Sequence, residues 1–139
     1  MSNLLRFGVS LDSDLLQKFD KLCEKRRYKT RSEAIRDLIR KDLVEEEWAN
    51  QEQEVTGTLT LVYNHHHSDL SRKMTEIQHQ ALDIVITSLH VHIDAHNCME
   101  VLILRGQVKE IKDFGRLLIS TRGIKHGSLS LSTTGKDLS

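Results

Sequence analysis

The chain has no apolar run approaching the roughly eighteen residues that a membrane-spanning helix requires, and no internal repeat or low-complexity tract. No apolar stretch near its start reads as a secretion signal, so the cytoplasm is the expected compartment. Cysteine is scarce. Cys23 and Cys98 stand far apart in 139 residues, which argues against a disulfide framework. The formal net charge is zero, which at first sight speaks against a polyanionic partner.

That zero averages over uneven stretches. Residues 1–41 carry eleven Lys and Arg against six Asp and Glu, and residues 42–54 carry six acids and no base. The remainder holds nine bases and eight acids. A basic head followed by an acidic connector is the charge pattern of a module that meets an anion. With 38% hydrophobic residues, the length suits one medium domain or two small ones.

Leu5, Phe7, Val9 and Leu11 alternate with Arg6, Gly8 and Ser10, the pattern of a short strand with one polar face. Asp12 can cap a helix striped by Leu15, Phe19 and Leu22. Thr30 and Glu33 form a capping box for a second helix, with Ala34, Ile35, Leu38, Ile39 and Leu43 on its apolar face. One strand and two helices are too few to bury a core alone, and a lone strand leaves its backbone unpaired. Pairing of two N-terminal strands in an intertwined dimer answers both needs. The exposed Arg6/Gly8/Ser10 face of such a ribbon fits a major groove. Backbone N–H groups at Thr30–Ser32, with the charge of Arg31, suit a phosphate.

From Thr56 onward, short strands alternate with amphipathic helices. Thr58–Tyr63, the stripe Leu70/Met74/Ile77/Ala81, two β-rich runs at 84–93 and 98–104, the stripe Val108/Ile111/Gly115/Leu118 and the run 124–131 give the order βαββαβ, a ferredoxin-like arrangement. His90 and His92, two apart on a strand, leave the same face about 6.5 Å apart. A turn at 93–97 can set Cys98 opposite His92, and the same register sets Glu100 opposite His90, where it could orient an imidazole. The odd-numbered Val85, Leu89, Val91 and Ile93 are expected to pack beneath the two helices. That puts His90, His92, Leu102 and Leu104 on an open face. His79 lies about 180° from its helix's apolar stripe, facing away from its own sheet, and is better placed to join a neighbouring chain. Three imidazoles and a thiolate suit Zn(II), Cu(II) or Ni(II), and spacing does not choose among them.

The segment Arg31-Ser32-Glu33-Ala34-Ile35-Arg36-Asp37, following the strand, resembles the ribbon-helix-helix repressors. Together with His79, His90-Val91-His92 and Cys98, nearly the whole chain resembles the nickel-responsive regulator (NikR) family. The resemblance implies an α+β protein. Residues 1–48 would form the ribbon-helix-helix DNA-binding domain, 49–55 a linker, 56–133 a ferredoxin-like (ACT-like) metal-binding and tetramerisation domain, and 134–139 a tail. It implies one Ni(II) per subunit, with His79 supplied by a second subunit. It further implies a homotetramer built as a dimer of dimers, double-stranded operator DNA as partner, and repression of nickel-uptake genes without a catalytic step. The family also has an interdomain cation site at the positions of Glu33 and Asp37, which share a helix face at i and i+4.

Weaker signals are His65-His66-His67, an auxiliary metal site or a solvated loop, and His96 and His126, ordinary polar residues. Cys23 reads as a small buried side chain. Two other classes remain. A His/Cys metalloenzyme would keep an open coordination position for water. A metal-binding, antitoxin-like regulator would carry a short toxin-binding tail in place of the second domain.

Overall fold

A computed structural model describes residues 3–138. The chain divides into two compact units, the first comprising the residues up to Glu45 together with those after Lys136, and the second spanning Glu46–Lys136. Among the described residues no helix is long and apolar enough to cross a membrane.

In the first unit, α1 (Ser13–Lys25) starts where Asp12 accepts a hydrogen bond from the Leu15 amide at 2.8 Å. It stops as Arg27 enters the left-handed region at φ 61°. Helix α2 (Arg31–Ala49) is capped by Thr30, whose hydroxyl accepts from the Glu33 amide at 3.1 Å. The returning Glu33 carboxylate takes the amide of Lys29, one residue earlier than a capping box closes. The acidic stretch is therefore helical as far as Ala49. Among the described residues of this unit, only Cys23 and Ala34 are buried.

The strand expected over 5–11 is not formed. Residues 3–12 carry no regular secondary structure, and Leu4, Leu5 and Phe7 are each more than 70% exposed. A ribbon needs a second strand to accept its backbone hydrogen bonds, and one chain supplies none.

The second unit begins within the end of α2, where the Trp48 indole donates to the Ser132 carbonyl and the Thr133 hydroxyl donates to the Glu47 carboxylate. It continues as β1 (Glu54–Asn64), α3 (Ser68–His79), β2 (Val85–His92), β3 (Asn97–Gln107), α4 (Val108–Ile119) and β4 (Ile124–Leu131). The strands form one antiparallel sheet in the order β2-β3-β1-β4, the ferredoxin-like order that βαββαβ predicts. Leu59, Leu61 and Tyr63 of β1 pack with Leu102 and Leu104 of β3, Met74 of α3 and Ile111 and Leu118 of α4. Close approach of α4 to β4 requires Gly127, where an added Cβ would lie 2.5 Å from Ile119 Cγ1.

The sheet faces are the reverse of the sequence expectation. Leu102 and Leu104 are fully buried beneath the helices, while Leu89, Val91 and Ile93 are 40–62% exposed; Val85 alone, paired with Leu104 before a register shift in β2, packs against the core as expected. In β3 both alternating sets are apolar (Leu102 and Leu104; Val101 and Ile103), so period-two patterning gave no sign of which set the helices cover. The register with β1 decides it: Leu59 pairs with Leu102, and Leu61 with Glu100, on the helix-covered face.

Candidate metal centre and DNA-contacting residues

The β2–β3 hairpin sets His92 opposite Cys98 and His90 opposite Glu100. Its turn is held by Asp94, whose carboxylate accepts from the amides of His96 and Asn97 and from the Asn97 side chain. Those donors hold the Asp94 carboxyl well below its ordinary value, at about 2. All four site positions share the helix-side face, but their burial differs. Cys98 and Glu100 belong to the inner strand and are buried, whereas His90 and His92 lie on the edge strand and are exposed.

The His90 and His92 ring centroids stand 5.4 Å apart. With metal–nitrogen bonds of about 2 Å, two imidazoles on one ion stand at about this separation. Burial pushes the Cys98 thiol above its ordinary value, with neighbouring Tyr63 opposing the effect and the Glu100 charge adding to it. A thiol raised in this way needs a cation to become a thiolate. The donors thus fit a soft or borderline divalent ion, yet among the described residues of one chain no three His, Cys, Asp or Glu side chains converge on a common point. His79, in the last turn of α3, is exposed.

Glu100 is held more tightly than the sequence indicated. Tyr63 donates its hydroxyl to one carboxylate oxygen at 2.7 Å, and the Gln78 amide donates to the other at 2.5 Å. Burial and the Glu100 charge raise the Tyr63 hydroxyl far above its ordinary value, so it remains a donor. Tyr63 also meets His90 edge-on, with centroids 6.1 Å apart. Sequence reading missed both residues. The available signals were a tyrosine on the apolar face of a strand, whose hydroxyl needs a partner when buried, and a glutamine next to His79. Gln78 ties the last turn of α3 to β3.

The histidine run is not simply solvated. His65 is half-buried, its ring centroid lies 4.4 Å from that of His92, and its Nδ1 is buried without a hydrogen-bond partner. His66 Nε2 lies 2.7 Å from the Ala95 carbonyl oxygen. His96 and His126 are exposed.

In the first unit, Arg6, Gly8 and Ser10 are exposed, and Gly8 has open space where a side chain would begin. Beside them Leu4, Leu5, Phe7, Phe19, Ile35 and Ile39 contribute to an open groove of about 860 Å³. Arg31 forms a two-pronged ion pair with Asp20 of α1, both contacts at 2.9 Å. Asp37 accepts from the Tyr28 hydroxyl at 2.7 Å and from Arg40 at 3.1 Å, and Glu33 accepts from the Lys29 amide.

Two helices behind a polar-faced leader, joined to a ferredoxin-like sheet bearing histidine and cysteine on one hairpin, define a ribbon-helix-helix protein with a metal-binding C-terminal domain. Residues 6–46 match the ribbon-helix-helix protein, copG family, and residues 56–132 match the NikR C-terminal nickel-binding domain. A protein of Nitratidesulfovibrio vulgaris (strain DP4) called a nickel-responsive regulator is 61% identical over 138 residues, covering 99% of each chain. One of the same name from Geotalea uraniireducens is 54% identical over the same coverage. The chain belongs to the nickel-responsive regulator family. Among solved structures, an uncharacterized protein of Thermotoga maritima matches 56% of this chain and 96% of its own with a TM-score of 0.51 at 14% identity, a likeness of fold alone.

Proposed function

We propose that this protein is a nickel-responsive, DNA-binding transcription regulator in which His90, His92 and Cys98 of one subunit and His79 of a neighbour hold one Ni(II) per subunit. The observation that carries the reading is the β2–β3 register, which sets His92 against Cys98 and His90 against Glu100 on one face. Nickel held by these residues would favour a thiolate and neutral imidazoles. Cys98 would join as the thiolate, its proton passing to solvent. Glu100, fixed by Tyr63 and Gln78 and set opposite His90, would orient that imidazole. The exposed position of His79 supports its donation outward, to a neighbouring chain.

In this reading residues 1–48 form the DNA-binding domain, 49–55 the linker, 56–133 the metal-binding and tetramerisation domain, and 134–139 a tail. The functional particle is a homotetramer, a dimer of dimers, whose ribbon presents Arg6, Gly8 and Ser10 to base edges while Arg31 meets phosphate. Nickel-dependent association of α3 with a neighbour's hairpin biases the tetramer toward the arrangement that fits operator DNA, and nickel-uptake genes are repressed when nickel is plentiful. Glu33 and Asp37 form a second, harder cation site in this scheme.

The test is a nickel titration of the full chain followed by absorption. Thiolate-to-nickel charge-transfer bands should saturate at one ion per subunit and vanish in Cys98→Ala. Nickel uptake without those bands in the parent protein contradicts the assignment of Cys98.

A further inference from the structure

Arg31 is the residue assigned to phosphate, and in the free chain its guanidinium is engaged elsewhere. Its Nε and Nη2 each donate to one oxygen of the Asp20 carboxylate at 2.9 Å. The pair joins the middle of α1 to the first residue of α2, and both side chains remain substantially exposed at 58% and 44%. Hydrogen bonding to the partner lowers the Asp20 carboxyl and raises the Arg31 guanidinium. The two-pronged geometry is the one an Arg would offer a phosphate.

We propose that Asp20 sets DNA specificity by occupying the phosphate-binding fork of Arg31, so that this arginine is released only where the duplex seats the α2 N-terminus closely. This inference rests on the DNA-binding reading above. A loosely held, non-specific duplex gains from Arg31 only the difference between a phosphate and a carboxylate partner, which is small when both are hydrated. A duplex whose bases engage the ribbon brings a phosphate up to the α2 N-terminus, where backbone N–H groups and the helix dipole add to the exchange. The carboxylate thus subtracts most from the sequence-independent attraction that basic proteins have for DNA.

The nickel-loaded full chain and its variants are titrated by fluorescence anisotropy, across a salt series, with two duplexes: one of random sequence, and one that the parent protein selects from a random pool. Asp20→Asn should tighten binding to the random duplex about two- to fivefold, the range an exposed ion pair supports, and steepen its salt dependence. The selected duplex should gain less, so that the ratio of the two affinities falls. Asp14→Asn sets the background, since it changes the charge equally from a first-turn carboxylate of α1 that has no ion-pair partner among the described residues. Adding Arg31→Ala to Asp20→Asn should erase the gain.

Equal behaviour of Asp20→Asn and Asp14→Asn, a gain that survives in the double variant, or weaker binding by Asp20→Asn each overturns the proposal. If Arg31→Ala alone leaves affinity and salt slope unchanged, the phosphate contact itself fails and the proposal falls with it. Asp20→Ser repeats the measurement should the Asn variant disturb α1.

Discussion

The two units of this chain solve the problem of burial differently. In Glu46–Lys136 the sheet and its helices enclose Leu59, Leu61, Leu102, Leu104, Ile111 and Leu118 with no exposed surface at all. Among the described residues up to Glu45, only Cys23 and Ala34 are buried, and Leu5 and Phe7 are 85% and 71% exposed. One unit has a finished core within one chain, and the other presents an apolar surface that a single chain leaves uncovered. A site built on the first can lose a side chain without losing its scaffold. A site built on the second depends on whatever completes the ribbon.

The largest effects should come from the finished scaffold. His90→Ala, His92→Ala and Cys98→Ala should each abolish tight nickel binding while the oligomer and its thermal transition persist. Native mass spectrometry and calorimetry check both halves of that statement. A variant that retains parental affinity and spectrum is removed from the site, and one that unfolds contradicts the independence of scaffold and ligand.

Acid should weaken the same site. The Cys98 thiol lies above its ordinary value in the free chain because burial penalises its charge, so nickel displaces a proton throughout the neutral range. Affinity should therefore fall at least tenfold for each unit of acidification, since one pKa unit corresponds to about 1.4 kcal/mol. Competition titrations from pH 8 to 6 measure the slope. A flat profile removes the thiol from the coordination.

A change on the unfinished side should affect DNA and not metal. Arg6→Ala should cost about 1–3 kcal/mol in discrimination between selected and random duplexes, as a lost bidentate base contact does, with nickel affinity unchanged. Equal discrimination by variant and parent refutes the reading face.

The smallest effect concerns the hairpin turn. Asp94, held at about 2 by three donors, stabilises the fold above its unfolded value near 4. That contribution disappears as pH falls through about 2. The gap in melting temperature between the parent protein and Asp94→Asn should be present at pH 5 and close toward pH 2. A constant gap would assign the effect to packing.

Much of this was legible in the residues. The hairpin register followed from a short polar turn between two β-rich runs, and it brought His92 to Cys98 and His90 to Glu100. Helical periodicity put His79 away from its own sheet, and His79 is exposed. The sheet's orientation was not legible, because Val101 and Ile103 are as apolar as Leu102 and Leu104. Only pairing with β1, a contact between residues some forty positions apart, assigns the covered face. The same long-range pairing hid Tyr63 and Gln78, which meet Glu100 across 37 and 22 residues. The N-terminal strand was legible as a pattern but has no ladder within one chain.

A metal site shared between subunits can be rebuilt by mixing two defective chains. Subunits carrying His79→Ala are combined with subunits carrying Cys98→Ala, neither able to complete a site alone, and hetero-oligomers are verified by mass spectrometry of differently tagged chains. A shared site predicts that each mixed interface contains one intact set, with His90, His92 and Cys98 from the first subunit and His79 from the second. High-affinity nickel with thiolate charge-transfer bands should therefore reappear in the mixture. If verified hetero-oligomers recover no such binding, the four ligands do not come from two chains, and the proposed route from nickel through quaternary structure to DNA is contradicted.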